Sequence, residues 1–514
     1  MSDKPKVTFV RAPIVCSAGS INNEATPCIA FAYLSAYLKA HGYRTRIVDG
    51  IAEGLNRIWP LKKYPGFMCH GEPFDELIAR IPEDTDVLAF SGMFSGEWPV
   101  LRDLILMIHE RFPRALFVIG GEHATALPEY ALRDCRALDV VVRGEGEHTL
   151  YEVVEAYAER GDCTSVSGIS FLDEDGAYHE NGTLPRIRNA DTIPWPDWPE
   201  GYLEKFWQAG KSYGISTDRD MPFMASRGCP YSCTFCSNPQ MWTTRYVLRS
   251  PEDCIAEIRS YVERYDITSL QFYDLTAIIK RDWILEFCQR LLEQDFRLTW
   301  SLPSGTRSEV LDREALRLIK ESGCSYLVYA PESGSPETLA KIKKKVKLDR
   351  LEESVLEARR QGIVVRTNLI IGFPSETRRQ IFQTLLWGLK MAVRGVDEVP
   401  VFLYNPYPGS ELFDQLYAKG QVQLGDDYFF VLTSINGKYI SSQSVSYNPH
   451  VGAKELVMWR TLFMGANYLV SYLFYPSRIL RTLRSLFSSE SSTVLEHRIK
   501  DALRRHREER KATV

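Results

Sequence analysis

Two long stretches of this chain alternate short apolar runs with amphipathic segments, and that rhythm limits the fold more than any other feature. A short apolar run, a helix and a second run make a βαβ unit, which requires parallel strands covered on both faces. The first stretch spans about residues 6–155, with strand candidates Val7–Arg11, Arg46–Asp49, Val87–Ser91, Leu116–Ile119 and Val140–Arg143. Pro27–His41 and Val100–Arg111 carry apolar residues at helical spacing between them, and Gly42 stands just past the first. The second stretch runs from Pro222 to about residue 415. Its six runs are Phe223–Ser226, Ser269–Tyr273, Leu298–Ser301, Tyr326–Ala330, Val364–Ile371 and Glu398–Leu403. Helical segments at Pro251–Tyr265, Arg281–Gln294, Asp312–Ser322, Asp349–Gln361 and Thr377–Ala392 separate them.

Between the two stretches, Thr192–Pro199 reads TIPWPDWP. Proline continues neither regular structure, so this segment is expected as a linker held to a surface by its Trp side chains. The organisation predicted is an α/β chain. A doubly wound, Rossmann-like parallel sheet occupies 1–160, and a linker 161–215. A partial (β/α)6 TIM-like barrel follows over 216–420, then a mainly helical region over 421–514. Both architectures bind ligands beyond the carboxyl ends of their strands. In the first stretch glycines stand at those ends: Ser91-Gly92, Gly120–Thr125 (GGEHAT) and Gly144–Glu147 (GEGE).

Composition removes other classes. With 62 Lys and Arg against 66 Asp and Glu, the net charge is −4, which argues against a nucleic-acid partner. No uncharged apolar run of about 18 residues is present, so no membrane span is expected. The start MSDKPKVTFV lacks the pattern of a secretory signal, and a cytoplasmic location is expected. Near the other end, Ser477–Phe487 sets Arg478, Arg481 and Arg484 opposite Ile479, Leu480, Leu483 and Leu486. Two readings fit: an interfacial helix touching anionic lipid, or a helix packed on the barrel with a solvated basic face. The charged tail His497–Val514 is expected to fray.

The 11 cysteines are too many and too scattered for a disulfide scaffold. Eight are isolated and read as small buried apolar residues. The other three, Cys229, Cys233 and Cys236, fall within eight residues in RGCPYSCTFC. Three thiolates spaced C-x3-C-x2-C can hold three irons of a [4Fe–4S] cube and leave the fourth open to a ligand. A zinc knuckle is the alternative, but zinc usually takes four ligands, and neither a fourth Cys nor a nearby His follows.

RGCPYSCTFC closely resembles the cluster loop of radical S-adenosylmethionine (SAM) enzymes. The resemblance implies that Cys229, Cys233 and Cys236 hold the cluster and that the open iron chelates SAM. Phe235 matches the aromatic position beside the adenine. YAPESGS (Tyr329–Ser335) is similar to the family's fourth-strand segment, which implies that Glu332 and Ser333 lie near SAM's polar groups. NLIIGFPSET (Asn368–Thr377) is similar to the fifth-strand segment, with Gly372 and Pro374 beside the adenine. Asp274 matches an acidic position after the second strand, and FLYNPYPGSEL (Phe402–Leu412) a sixth-strand segment.

Together with the first sheet, roughly residues 5–415 resemble the cobalamin-dependent class, whose relatives include hopanoid methylases and the oxygen-independent magnesium-protoporphyrin ester cyclase. The resemblance implies cobalamin over Ser91, Gly92, Gly120, Gly121, Glu122, His123, Thr125, Gly144, Glu145 and Gly146. A generic doubly wound domain with another ligand is the alternative there. The D-x-H-x-x-G hexapeptide that supplies a lower His ligand in many cobalamin domains is absent. His123 and His148 read as loop histidines, so cobalamin is expected base-off without a His ligand.

The implied activity is methyl transfer from SAM through methylcobalamin to an unactivated carbon of a small-molecule or lipid-like substrate. An external donor such as flavodoxin or ferredoxin would supply electrons. A cobalamin-assisted cyclase or oxidoreductase without methyl transfer is the second reading, and a non-catalytic cobalamin sensor the third.

Overall fold

The structure is a computed structural model that describes residues 4–18, 20, 25–183, 186–215, 218–306, 310–436, 445–485, 491–500 and 503. It divides into two compact units. The first comprises Met1–Ala209, Thr234–Val247 and Pro406–Thr433; the second comprises Gly210–Cys233, Leu248–Asn405 and Ser434–Val514.

In the first unit seven strands form one sheet. Their order is Tyr178–Glu180, Ile169–Leu172, Val140–Val142, Leu116–Gly120, Val87–Ser91, Lys6–Arg11, Arg44–Asp49. The last five are mutually parallel, with Val7 opposite Val87 and Lys6 opposite Arg44. All five predicted strands are there, within two residues of their expected limits. Helices Ile29–Ala40 and Gly146–Arg160 bury Phe31, Leu150 and Val153 against Phe9, Val118 and Val142 of the sheet. Val10, Leu88, Phe117 and Ile119, which point to the other face, are buried as well, and burial on both faces is why the strands read as continuous apolar runs.

Residues 161–215, read as linker, contribute two antiparallel strands to the edge of that sheet. They were missed because Tyr178-His179-Glu180 is short, polar and partly exposed, as an edge strand can be. Farther along the same stretch, Trp198 is buried against Tyr202, whose hydroxyl donates to Asp49 at 2.6 Å. A separate three-stranded antiparallel sheet, Ile14–Ser17, Phe67–His70 and Ile58–Pro60, gave no periodic signal at three or four residues per strand.

The second unit holds six parallel strands in simple sequence order: Asp220–Phe223, Ser269–Phe272, Thr299–Thr306, Cys324–Glu332, Val364–Ile371 and Val401–Leu403. Helices intervene as predicted, with ends that follow their caps. Ser250 accepts from the Asp253 amide ahead of Pro251, and Thr377 closes a capping box with Gln380. The first strand ends at Phe223, three residues earlier than expected, and a short strand at Ser226–Arg227 follows. Beyond the sheet, Ala453–Phe474 is a 22-residue helix that stops at Tyr475 before Pro476. Among the described residues no helix is long and apolar enough to cross a membrane.

Candidate active site

In the first unit, the carboxyl ends of three neighbouring strands are closed by backbone rather than by side chains. Gly92 donates to the Gly120 carbonyl at 2.7 Å, and His123 donates to the Gly92 carbonyl at 3.0 Å. Gly121 sits at φ +110°, and a Cβ there would lie 2.8 Å from the Gly92 carbonyl oxygen. Only glycine satisfies both conditions. Thr125 accepts from the Gly144 amide at 3.0 Å and ties the third loop to the second. Gly120 differs from these. A Cβ there would make ordinary contact with the Val142 carbonyl at 3.5 Å and the Val142 Cβ at 3.8 Å, so a side chain is not excluded as it is at Gly121. Just past Gly92, Met93 and Phe94 are 38% and 58% exposed.

These features fit a large, flat, largely apolar ligand. Several of the expected contact residues have other work. Glu145 is buried in an ion pair with Arg186 at 3.0 Å and accepts from the Ile187 amide at 2.8 Å. Glu122 is held by the Ser237 hydroxyl, and burial pushes its pKa up to about 7. His123 is buried with its Nδ1 3.0 Å from Ser95 Oγ and its ring against Trp98 and Phe429. Burial pushes its pKa down to about 3, and its Nε2 has no partner among the described residues. His148 lies on the surface beside Glu152.

The cysteine loop leaves the short strand Ser226–Arg227 through Gly228, at φ +78°, and ends where helix Asn238–Trp242 begins. Of the eleven cysteines, only Cys229 and Cys236 are not buried, and Cys233 is 9% exposed. Soft sulfur donors that reach a surface on one loop fit an iron–sulfur cluster. Among the described residues no three His, Cys, Asp or Glu side chains converge on one metal ion.

Asp274 is buried where the second strand ends. Both of its oxygens accept from the Ala225 amide at 3.1 Å, and it also accepts from the Ser226 hydroxyl. Burial pushes its pKa up to about 6. It therefore fixes the chain that enters the cysteine loop.

Glu332 ends the fourth strand at φ +68°, a conformation that costs a non-glycine residue about 1–3 kcal/mol, and pairs with Lys344 at 3.0 Å. Ser333 is buried against Thr384 at 2.8 Å. After the fifth strand Gly372 turns at φ +90°, and its amide and that of Phe373 donate to Glu376 at 2.7 and 3.3 Å. Asn448 braces the same turn by donating to the Phe373 and Glu376 carbonyls, both at 2.7 Å. Pro374 is partly exposed within this turn, and Phe235 is partly exposed in the cysteine loop.

Sequence reasoning missed the residues just after the sixth strand. Tyr404 and Asn405 are each 4% exposed. The Tyr404 hydroxyl and both polar atoms of the Asn405 amide have no partner among the described residues. Thr306, ending the third strand, is likewise buried with an unpartnered hydroxyl. Buried polar atoms are nearly always bonded, so these three point to a missing polar ligand. The only sequence signal was an Asn-Pro pair directly after a strand.

Two of the three arginines of Ser477–Phe487 are turned inward, and Arg484 is exposed. Arg478 donates to the Val396 and Gly395 carbonyls and pairs with Asp397 at 3.3 Å; Arg481 pairs with Asp397 at 2.9 Å and Glu496 at 3.3 Å. Ile479, Leu480 and Leu483 are 45–57% exposed. The packed reading expected these leucines against the barrel, and they are not there; neither reading placed Arg478 inside. Leu486 and Phe487 lie outside the described residues.

Comparison with known proteins accords with this geometry. Residues 19–154 match the B12 binding domain, and residues 224–388 match the radical SAM superfamily. Cytidylyl-2-hydroxyethylphosphonate methyltransferase of Streptomyces wedmorensis is 28% identical over 77% of this chain and 78% of its own. An anaerobic magnesium-protoporphyrin IX monomethyl ester cyclase of Rubrivivax gelatinosus is 27% identical over 78% of this chain and 68% of its own. The radical SAM methyltransferase TsrM of Kitasatospora setae, solved with tryptophan and a SAM analogue, shares the fold. Its TM-score is 0.61 at 17% identity, covering 82% of this chain and 78% of that one. With a B12-binding domain ahead of a radical SAM domain, the chain belongs to the cobalamin-dependent radical SAM enzymes.

Proposed function

We propose that this chain is a C-methyltransferase that moves a methyl group from SAM, with cobalamin as carrier, to an unactivated carbon of a small-molecule or lipid-like substrate. One observation carries the reading: a single chain joins a three-thiol loop at a parallel sheet's first strand to a second sheet whose strand ends are glycine-lined. In finer terms, the first sheet is read as a doubly wound, Rossmann-like cobalamin domain and the second as a partial (β/α)6 barrel. The methyltransferase relative and the methyltransferase of like fold support this reading.

When bound, the cluster delivers the electron that cleaves SAM, and cobalamin carries the methyl group. The protein's part is placement and shielding. Cys229, Cys233 and Cys236 hold the cluster, and Asp274 sets the angle at which their loop leaves the sheet. Glu332, Ser333, Phe235 and the Gly372–Pro374 turn form the SAM side. Glu332 already holds a cation, Lys344, and can exchange it for SAM's ammonium. Tyr404, Asn405 and Thr306 offer unsatisfied donors and acceptors beside them. Gly120 with apolar Met93 and Phe94 would take the broad face of the corrin, and His123, buried against Trp98 and Phe429, is not offered to it as a ligand. An external reductant such as flavodoxin or ferredoxin completes the cycle. Peripheral membrane contact belongs to the same reading; Arg478 and Arg481 are engaged with the protein, and Arg484 is the exposed arginine of that helix.

The test is anaerobic turnover of the loaded chain in a cell extract with deuterium-labelled SAM methyl. Methyl transfer yields a labelled product with one S-adenosylhomocysteine and one 5′-deoxyadenosine per turn. The cyclase relative favours a second reading, in which deoxyadenosine forms and S-adenosylhomocysteine does not. That outcome sinks the methyltransferase.

A further inference from the structure

We infer that the outer face of the second unit built from helices Arg378–Val393, Ala453–Phe474 and Ser477–Ser485 docks on an anionic membrane surface. Helices Arg378–Val393 and Ala453–Phe474 pack together, and Ser477–Ser485 follows directly on the latter. Eleven of the twenty large apolar side chains exposed among the described residues sit on these three helices, which form under a tenth of the chain. They are not scattered. On the long helix Met458, Leu462, Leu469 and Leu473 recur every four or seven residues and form one stripe along about 22 Å. Phe382 and Leu386 are 51% and 48% exposed on the neighbouring helix.

The inside of these helices makes the pattern stronger. The buried side of the long helix mixes Arg460, Asn467 and Ser471 with Leu456, Phe463 and Met464, while Leu462, Leu469 and Leu473 face out. Ser477–Ser485 repeats this, with Arg478 buried and its apolar side exposed. Two consecutive helices that bury arginines while leaving rows of leucines outside are shaped for an apolar medium beyond them.

Charge selects the occupant. Among the residues of the three helices Glu455 is the sole carboxylate, and it is paired with Arg378 at 2.7 Å. Arg379, Lys454 and Arg484 are exposed and have no ion-pair partner among the described residues. A second copy of this face would bring like charges together. A nucleic acid would match the cations but gain nothing from the leucines. Anionic lipid satisfies both, with cations at the headgroups and side chains buried about 5–10 Å into the acyl boundary. This inference does not depend on methyl transfer.

The experiment is flotation of the full chain with phosphatidylcholine vesicles, with and without phosphatidylglycerol. Size-exclusion chromatography accompanies it. The chain is expected to float with anionic vesicles roughly tenfold or more better than with neutral ones. Two triple variants, L462S/L469S/L473S and R379Q/K454Q/R484Q, are each expected to lose flotation while keeping the thermal midpoint of the parent. All six positions are exposed, so neither variant should unfold the chain. Absent flotation, equal flotation on both vesicles, or a dimer that the leucine variant dissociates overturns the inference.

Discussion

The carboxyl ends of the two parallel sheets solve opposite problems. At the first, most polar side chains already have partners: Glu145 has Arg186, Thr125 has the Gly144 amide, and Glu122 has Ser237, with His123 Nε2 the exception. What remains for a ligand is glycine backbone and two exposed apolar residues. At the second, Tyr404, Asn405 and Thr306 stand buried and unsatisfied. The first is a preformed apolar shelf, suited to shape recognition. The second is an incomplete hydrogen-bond network, suited to a polar ligand that completes it. A buried amide or hydroxyl left unbonded costs about 1–3 kcal/mol, so this end trades apo stability for specificity.

The largest effect tests the second end at its cluster. Replacing Cys229, Cys233 and Cys236 with alanine should reduce iron and sulfide content and deoxyadenosine formation to background. Cys229 and Cys236 are not buried, so unfolding is an unexpected result for those two. Cleavage of SAM that survives their removal would falsify the assignment of the loop.

Next comes a pair of neighbours at the first end. Gly121→Ala forces a Cβ onto the Gly92 carbonyl at positive φ and should destabilise the fold by about 2 kcal/mol or more. Gly120→Val meets no such obstacle and should change stability by about 0.5 kcal/mol or less. Yet it places a side chain on the shelf, so cobalamin titrated by absorbance should no longer bind tightly. If Gly120→Val binds cobalamin like the parent, the shelf lies elsewhere.

Asn405→Leu should move stability and binding in opposite directions. Replacing an unsatisfied amide with an apolar group of similar size should raise apo stability by about 1 kcal/mol. The increase in melting temperature produced by SAM or substrate should shrink. A loss of apo stability instead would mean that Asn405 is already satisfied.

These contrasts also mark how far the sequence could be read. Parallel-strand positions were legible because burial on both faces leaves uninterrupted apolar runs, as at Val87–Ser91 and Leu116–Gly120. The cysteine spacing was legible because it is local. The strands Ile58–Pro60 and Tyr178–Glu180 were not, because three residues carry no period and their pairing is made at a distance. Ser477–Ser485 was seen as two-sided, but periodicity does not say which side faces the protein. Asp397 and Glu496, far away in sequence, decide that. Being unpartnered, as Asn405 is, belongs to the fold alone and leaves no trace in a motif.

The smallest effects distinguish the two units by pH. His123 titrates near 3 when folded and about 6.5 when exposed, so the unfolded chain binds the extra proton between those values. Its contribution to stability is complete above about pH 6.5 and is lost as pH falls toward 3. Asp274 works the other way. Its folded pKa of about 6 lies above its ordinary 3.8, so the folded chain binds the proton in that window, and stability falls as pH rises through it. His123→Gln should therefore flatten the acid side of a plot of melting temperature against pH, and Asp274→Asn should flatten the decline between about pH 4 and 6. If both variants keep the parent's slope, neither buried group titrates as its surroundings require, and the enclosure that leaves His123 without access to cobalt must be weaker than its packing against Trp98 and Phe429 implies.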